Sequence, residues 1–257
     1  MKKTPHTIWI SDLHLGNPNC QFEKLYEFLQ SLEKKDGSYS VTNLFLVGDI
    51  IDMTQFNHKV FWGKHRAIIK KFFRMADKGV NIIYIRGNHD FLLEKEFLKD
   101  NPNGVSFNKI KIKFNDTYTT LKGNKLFILH GDEFDGIVRL YPLSYKIGDM
   151  GYKCIIMLNR VQNSCRRVLG IKPWSFAQWI KHNVKKSIQF IGKYEHAITE
   201  KAKEKNVEGI VCGHIHHAAD KKIDNIRYLN CGCWVEFCSY IVEYDDGEIE
   251  VVMYSDE

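Results

Sequence analysis

The chain has 257 residues, of which 44% are hydrophobic and 26% charged, and its formal net charge is +6. This composition is typical of a folded globular protein and argues against long disordered or low-complexity segments. No uncharged apolar run approaches the ~20 residues that a membrane-spanning helix needs, and no repeat of ~20 to 50 residues indicates a solenoid.

The amino terminus and the cysteines favour a cytoplasmic, reduced setting. The apolar stretch after Met1 runs only from Thr7 to Ile10, so we expect no secretory signal. Seven cysteines are an odd number, in a chain large enough to fold without disulfides. Cys231 and Cys233 lack a second pair at zinc-site spacing, so we interpret them as packing residues.

In chain order, short apolar runs of strand character alternate with helical patterns. The predicted strands are Thr7 to Ser11, Leu44 to Val47, Val80 to Ile85, Leu126 to Leu129 and Val207 to Cys212. Between the first two strands, apolar residues from Phe22 to Leu32 recur at helical spacing. This alternation predicts an α/β fold.

The carboxyl-terminal part reads differently. Three β-rich runs, Ile226 to Leu229, Tyr240 to Tyr244 and Ile249 to Tyr254, are joined by tight turns such as Asp245 to Gly247. Such turns favour antiparallel hairpins. We therefore predict a sandwich of mixed sheets flanked by helices.

A basic segment interrupts this pattern. From Ile137 to Tyr194 there are eleven Lys or Arg residues and one acid, which gives a local charge of +10 and leaves −4 for the remainder. Apolar residues recur there at three- and four-residue spacing, first from Ile147 to Val168 and then from Phe176 to Ile191. We predict a core of residues 1–135 and 195–257 and a helical cap inserted at 136–194. The basic face of the cap suggests an anionic ligand or surface.

Five polar clusters follow the predicted strands of the core. They are Asp12-Leu13-His14, Gly48-Asp49-Ile50-Ile51-Asp52, Gly87-Asn88-His89-Asp90, His130-Gly131-Asp132 and Gly213-His214-Ile215-His216. Because the carboxyl ends of strands in an open α/β sheet meet at one edge, we expect these clusters to converge on one rim of the sheet.

The residue types in these clusters suit a divalent metal. Carboxylate oxygen, amide oxygen and imidazole nitrogen together favour manganese, iron or zinc over calcium. A carboxylate at Asp49 could bridge two ions ~3.5–4 Å apart, which would polarise a phosphoryl group and activate a water. His89 is the expected hydrogen-bonding or cationic partner of the developing charge.

These motifs resemble the calcineurin-like metallophosphoesterase superfamily, whose pattern is D-x-H, G-D-x-x-D, G-N-H-D/E, H and G-H-x-H. The resemblance implies a metallophosphoesterase-type β-sandwich with a cap and a site of two ions. The implied ligands of one ion are Asp12, His14, Asp49 and His216. Those of the other are Asp49, Asn88, His130 and His214. The resemblance also implies that His89 is catalytic and that Asp90 orients it.

Within the superfamily, the chain is similar to the UDP-2,3-diacylglucosamine hydrolase group along nearly its whole length. That similarity implies cleavage of the pyrophosphate of UDP-2,3-diacylglucosamine to UMP and an acylated sugar phosphate in lipid A synthesis. It also implies manganese as the usual metal and a location at the cytoplasmic face of the inner membrane. The expected substrate contacts are Asn88, His89, Asp135, Lys181 and Lys185, with the cap clasping acyl chains and meeting lipid headgroups.

Two departures from that group leave alternatives open. The best-known members carry Arg at the position of His89, which keeps another nucleotide, phosphodiester or phosphoprotein open as the substrate. Close relatives usually read N-D-G-D-W where this chain has Asn230-Cys231-Gly232-Cys233-Trp234. A non-catalytic scaffold is a minor alternative, because such proteins lose ligands and this chain has lost none. The apolar periodicity of the cap argues against nucleic acid as a substrate.

Overall fold

A computed structural model describes residues 3–135 and 176–255, with the backbone alone over 176–187. Twelve strands form two mixed sheets. The strands of the first half are β1 (Pro5–Ile10), β2 (Asn43–Val47), β3 (Asn81–Ile85), β4 (Val105–Phe107), β5 (Ile110–Lys113) and β6 (Asn115–Thr119). Those of the second half are β7 (Lys125–Leu129), β8 (Gly209–Cys212), β9 (Ala219–Ile223), β10 (Ile226–Asn230), β11 (Ser239–Tyr244) and β12 (Ile249–Met253).

The two sheets differ in size but share a parallel centre. The larger has seven strands in the order β12-β11-β1-β2-β3-β5-β4, and the smaller has five in the order β6-β7-β8-β10-β9. Strands β1, β2, β3 and β5 run parallel, as do β7, β8 and β10. The outer strands pair antiparallel.

Alternating side chains of the parallel strands supply two cores. On one face, Trp9, Phe45 and Ile83 pack with Leu126, Ile128 and other residues of the smaller sheet. On the opposite face, Ile8, Leu44 and Ile82 pack in a cluster that includes helical residues. Period-2 alternation with both faces buried explains why these strands are nearly all apolar.

Helices Phe22–Ser31 and Arg66–Asp77 contribute to this second core. The first buries Leu25, Phe28 and Leu29, which lie at spacings that place them on one helical face. Between the helices and at the ends of strands lie shorter turns, His58–Val60, Phe61–His65, Phe91–Leu93, Glu94–Leu98 and Asp132–Phe134. A longer helix spans Phe176–Glu204.

The predicted mixed α/β sandwich with flanking helices is confirmed, and each predicted strand is present. One pairing prediction was wrong in part. Strands β11 and β12 form the expected antiparallel hairpin, but β10 belongs to the other sheet and pairs parallel with β8. The reason is its burial: β10 is almost wholly enclosed, as a central strand of the smaller sheet must be.

The described chain forms two compact units. One comprises Met1–Glu133 with Ala197–Glu257, and the other comprises Phe134–His196. Residues 136–175 of the predicted cap lie outside the described residues, so the cap, its apolar stripes and its basic face stay predictions. Among the described residues, no helix combines the length and apolar character that crossing a bilayer requires.

Candidate metal centre

The five polar clusters follow the carboxyl ends of five strands, but these strands belong to two sheets. Asp12, Asp49 and Asn88 come after β1, β2 and β3 of the larger sheet, whereas His130 and His214 come after β7 and β8 of the smaller one. The expectation of a single sheet rim was therefore wrong. Because the sheets pack face to face, the carboxyl ends of both central parallel sets meet at one end of the sandwich.

Backbone hydrogen bonds join the loops across this end. The Asp12 amide donates to the Gly48 carbonyl at 3.0 Å, and the Gly213 amide donates to the His130 carbonyl at 3.1 Å. A side chain also connects the two sheets, because the His214 amide donates to Asp12 Oδ2 at 2.9 Å. Asp12 thus holds the loop of the other sheet in place.

The backbone at the site is strained in a consistent way. Asp12, His14, Asp49, His214 and His216 all have positive φ, between 50° and 70°. Non-glycine residues adopt this left-handed region at a cost, and such strain persists only where the surroundings enforce it. Five strained residues after the ends of three strands, β1, β2 and β8, indicate that the loops are shaped to aim these side chains.

Glycines allow the loops to approach each other closely. A Cβ on Gly48 would overlap the His130 ring, and a Cβ on Gly213 would overlap Ser11 and the Asp12 carboxylate. At Gly87 a Cβ would overlap the backbone and carboxylate of Asp49. The glycine of each motif is therefore required by its neighbour across the site.

One group of potential ligands consists of Asp12, His14 and His216. His216 Nε2 lies 3.2 Å from Asp12 Oδ1 and 3.3 Å from His14 Nε2. Asp12 is fully buried and His14 nearly so. A carboxylate oxygen and two imidazole nitrogens therefore face one small space.

A second group consists of Asp49, His130 and His214. His130 Nε2 lies 3.3 Å from Asp49 Oδ2, while the Nδ1 of the same ring lies 2.9 Å from the Val47 carbonyl. Because a carbonyl can only accept, this contact places a proton on Nδ1. When the ring is neutral its lone pair is therefore on Nε2, the atom that faces Asp49, and this is the tautomer that a metal-binding histidine needs.

Asp49 lies between the two groups. Its Oδ2 atom is 3.3 Å from His130 Nε2 and 4.0 Å from His14 Nε2. Its Oδ1 atom accepts from the His89 amide at 2.8 Å. A carboxylate placed between two sets of imidazoles is suited to bridging a pair of cations.

The charges of the potential ligand groups favour the binding of a cation. Although burial opposes ionisation, His216 beside Asp12 and His130 beside Asp49 lower the pKa of both carboxyls. Among the described residues, the buried atoms Asp12 Oδ1 and His130 Nε2 make no hydrogen bond of good geometry, although they lie at ion-pair distances of 3.2 Å from His216 and 3.3 Å from Asp49. Buried carboxylate and imidazole atoms that face one another without well-formed hydrogen bonds fit divalent metal ions.

Other predicted site residues are placed differently. Asn88 is exposed at the end of β3, between the buried Gly87 and the part-buried His89. Asp135 falls in the unit Phe134–His196 and is part-buried. Lys181 and Lys185 lie on helix Phe176–Glu204, where only the backbone is described.

Asp90 is fully buried and bonds mainly to the backbone. It accepts from the amides of Ile51, Gly87 and Ile50, at 2.9, 3.1 and 3.3 Å, and from the Tyr84 hydroxyl at 2.8 Å. Burial, reinforced by the nearby Asp49, raises the pKa of its carboxyl to about 6. Asp90 thereby fastens the loop after β2 to the loop after β3.

The side chain that contacts His89 is Asp52, not Asp90. Asp52 Oδ1 lies 2.9 Å from His89 Nδ1, and the Thr54 hydroxyl lies 2.8 Å from the same nitrogen. Asp52 is the last residue of the motif G-D-x-x-D, and the sequence alone predicts no role for it. The motif itself indicates a possible role, because Asp52 is its second acid and its first acid, Asp49, faces the site.

Cys233 also lies beside the site and was interpreted only as a packing residue. It is fully buried and hydrogen-bonds the His216 side chain. The amide of the next residue, Trp234, donates to the Asp12 carbonyl at 3.0 Å. The segment that departs from N-D-G-D-W therefore packs directly against Asp12 and His216.

The sequence matches a protein-family model over most of its length. The model described as "Calcineurin-like phosphoesterase" matches residues 5–218, a span that contains all five polar clusters. The chain belongs to the calcineurin-like phosphoesterase family. The predicted resemblance is thus confirmed, and the chain is a metal-dependent phosphoester hydrolase.

Curated relatives extend the similarity beyond the family model. A UDP-2,3-diacylglucosamine hydrolase from Coxiella burnetii is 26% identical, with 96% of each chain covered. One from Pectobacterium carotovorum is 24% identical, with 85% of each chain covered. Among solved structures, an archaeal phosphodiesterase is 14% identical with a TM-score of 0.47, covering 96% of this chain and 99% of its own.

Proposed function

We propose that this phosphoesterase hydrolyses the pyrophosphate bond of UDP-2,3-diacylglucosamine, giving UMP and the acylated sugar 1-phosphate. The observation that carries the proposal is similarity along the full length, with 96% of both chains covered by a relative of that name. The family model alone supports only the coarser activity, since it ends at residue 218 and names no substrate.

We assign the two observed donor groups to two divalent ions, with manganese as the expected metal and iron or zinc as alternatives. Asp12, His14 and His216 would hold one ion, and His130, His214 and Asn88 the other, with Asp49 shared between them. When bound, the ions supply positive charge that polarises the phosphoryl oxygens and makes a water acidic enough to attack near neutral pH. The deep burial of Asp12 and His130 keeps bulk water from screening that charge.

His89 is the residue that we assign to the leaving group. Asp52 and Thr54 both engage its Nδ1 atom, which leaves Nε2 as the ring atom able to donate to a phosphoryl or leaving oxygen. Asp52 is buried, and although burial opposes its ionisation, its pKa is lowered by the hydrogen bonds it accepts from His14, Asn17 and His89. The carboxylate therefore stays ionised and can orient the His89 ring through Nδ1.

The predicted cap completes the proposal. We assign acyl-chain binding to the insertion 136–194, with Lys181, Lys185 and Asp135 as candidate contacts to the substrate. Its eleven basic residues would meet anionic headgroups at the cytoplasmic membrane face. Both the nucleotide and the lipid part of the substrate would then have a binding partner in the chain.

One observation favours a second candidate, hydrolysis of another nucleotide or phosphodiester. A histidine paired with Asp52 stands where the best-known members of the group carry arginine. An imidazole reaches less far than a guanidinium and makes no bidentate contact with phosphate. A soluble phosphoester with a poorer leaving group would benefit more from the proton that His89 can deliver.

The deciding experiment compares substrates on one preparation. Purified protein loaded with Mn²⁺ is incubated with UDP-2,3-diacylglucosamine, UDP-N-acetylglucosamine and a panel of soluble phosphodiesters. Release of UMP from the acylated substrate, with little turnover of the others, supports the proposal. Faster turnover of a soluble ester favours the second candidate, and no UMP release at full metal occupancy refutes the first. His130→Ala serves as the metal-binding control.

A further inference from the structure

A basic concavity lies between helix Phe22–Ser31, the turn that follows it and helix Arg66–Asp77. Its volume is about 400 Å³. It is lined by Tyr26, Gln30, Glu33, Lys34, Lys35, Gly37, Lys71 and Arg74. No residue of the candidate metal centre belongs to this lining, so the catalytic chemistry does not explain it.

The turn that closes one side is rigidly built. The Lys34 amide donates to the Ser38 carbonyl at 2.7 Å, and the Gly37 amide donates to the Lys34 carbonyl at 2.9 Å. Glu33 and Tyr39 pair across it as an antiparallel bridge. The turn therefore presents Lys34 and Lys35 at the mouth of the concavity from a fixed backbone.

Lys71 is a fixed charge rather than a solvated surface lysine. Only 7% of its side chain is exposed, and its Nζ atom lies 3.1 Å from Glu33 Oε2. The same atom stands 5.6 Å from the Tyr26 ring and 6.0 Å from the Tyr39 ring. Because the ammonium is already held by a carboxylate and two ring faces, an incoming anion would meet a pre-ordered donor.

The charge of the lining is unbalanced. Lys34, Lys35, Lys71 and Arg74 face Glu33 as the one acid in the lining. Asp36, also on the turn, is a second acid that interacts with Lys34, so four cations face two acids. An excess of cations around a confined space is offset by an anion with several acceptor oxygens.

We propose that this pocket binds a phosphate-bearing anion, a phosphomonoester group carried by a small metabolite or by a lipid headgroup. Lysine and arginine supply the charge-assisted hydrogen bonds that phosphate oxygens accept, and Gln30 adds a neutral donor. A cavity of about 400 Å³ is large enough for a phosphate group with an attached sugar or glycerol. A plain solvated basic patch would not bury Lys71 between two tyrosines.

Binding is tested on the whole, metal-loaded protein with methylphosphonate, which resembles a phosphomonoester and is not hydrolysed. With diamagnetic Zn²⁺ in the metal centre, the backbone amides of Lys34 and Gly37 report occupancy of this pocket separately from the catalytic site. We expect both amides to shift saturably at about 50 mM salt and the affinity to fall as salt is raised. No saturable shift up to about 10 mM ligand would overturn the proposal.

The variant Lys34→Ala/Arg74→Ala removes two exposed cations and spares the buried Lys71. We expect it to weaken methylphosphonate binding by at least about tenfold while phosphoesterase activity is kept. Lys221→Ala/Lys222→Ala, a pair of exposed lysines on β9, is the matched control and should bind as the wild type does. Equal binding by all three proteins would refute the assignment.

A vesicle arm distinguishes the two sources of phosphate. Wild type and the Lys34→Ala/Arg74→Ala variant are sedimented with vesicles that contain phosphatidic acid, whose headgroup is a phosphomonoester, and with phosphatidylcholine vesicles. A loss of sedimentation confined to the variant and to phosphatidic acid identifies a lipid headgroup as the ligand. Equal sedimentation of both proteins, with the methylphosphonate difference preserved, identifies a free phosphorylated metabolite.

Discussion

Asp52 Oδ1 lies 2.9 Å from His89 Nδ1, and the other oxygen of the same carboxylate lies 3.4 Å from His14 Nδ1. One buried acid thus orients a candidate metal ligand and the candidate proton donor together. In each ring the Nδ1 atom makes this contact, so the Nε2 atom points away from Asp52. Asp52 is therefore a candidate positioning residue for both rings.

Asp52→Asn should therefore lower kcat by about 10²-fold or more, because the amide removes the negative charge that faces and orients the His89 ring at Nδ1. The measurement is kcat against pH, with metal content determined on the same samples. His89→Ala is the partner variant, and the double variant should lose little beyond the larger single effect. If Asp52→Asn is slow only because it lacks metal, added Mn²⁺ restores it, and the assigned partnership with His89 is wrong.

Most residues of the candidate metal centre could be predicted from the sequence, but their distribution over two sheets could not. The apolar runs that end at Ile10, Val47 and Ile85 are long enough and flanked clearly enough to predict strands, and the polar residues after them follow. No local feature of the sequence indicated that β7 and β8 belong to a second sheet. Strands β5 (IKIK) and β9 (ADKKI) were not predicted, because both are short and rich in lysine; β9 is an edge strand, whereas β5 lies between β3 and β4.

The role of Asp52 was not predicted from the sequence for a related reason. A carboxylate three residues after Asp49 reads as turn chemistry, and Asp52 does accept from the amides of Thr54 and Gln55. Only the fold brings His14 and His89, from the ends of two other strands, to its two oxygens. Likewise, the contact of Cys233 with His216 joins residues that are distant in sequence.

Metal binding should strengthen as pH rises. Burial disfavours a charged His130, but Asp49 prevails and raises its pKa to about 10, and Asp12 raises that of His216 to about 11 against the same opposition. A metal needs the neutral ring, so an incoming ion must displace these protons. We expect apparent affinity to rise between pH ~6 and ~9, by up to about tenfold per unit for each proton released. Calorimetry in buffers of different ionisation enthalpy counts the protons. An affinity independent of pH would contradict the prediction.

Without metal, the stability of the protein should change with pH in the opposite direction. The folded-state pKa values of His130 and His216, about 10 and about 11, exceed the ~6.5 of an unfolded-state histidine. Their contribution to stability is therefore complete below pH ~6.5 and is lost as pH rises through those values. Protein treated with a chelator should melt at lower temperature at pH ~10 than at pH ~7, whereas His130→Ala/His216→Ala should show less of this slope.

Gly48→Ala should abolish binding at the Asp49, His130 and His214 group. The new Cβ would overlap the His130 ring, and φ at this position is +80°. Gly123→Ala is the matched control, since its φ is +86° but no atom lies within 4 Å of its added Cβ. Both variants carry the backbone cost of about 1 kcal/mol, so only Gly48→Ala should also lose metal. Equal metal content in the two variants would show that the close approach at Gly48 is not needed.

Asp90→Asn should cost about 1–3 kcal/mol of stability, because an amide nitrogen cannot accept from the backbone amides that this carboxylate holds. Tyr84→Phe removes a single hydrogen bond to Asp90 and should cost about 1 kcal/mol. Urea unfolding of both variants measures the difference. A loss in Asp90→Asn no larger than that in Tyr84→Phe would mean that the backbone contacts contribute little.

Cys233 provides the remaining prediction, because it hydrogen-bonds a candidate ligand from outside the donor set. Partners of this kind orient a metal-binding imidazole, and their loss typically costs 10- to 100-fold in affinity. We expect Cys233→Ala to weaken metal binding by about tenfold and Cys233→Ser, which keeps a hydrogen-bonding group, to weaken it less. Cys238→Ala, another buried thiol, is the control. The spectrum of the Co²⁺-loaded protein separates orientation from ligation: a sulfur-to-cobalt charge-transfer band that disappears in Cys233→Ser would make Cys233 a direct ligand and overturn this role.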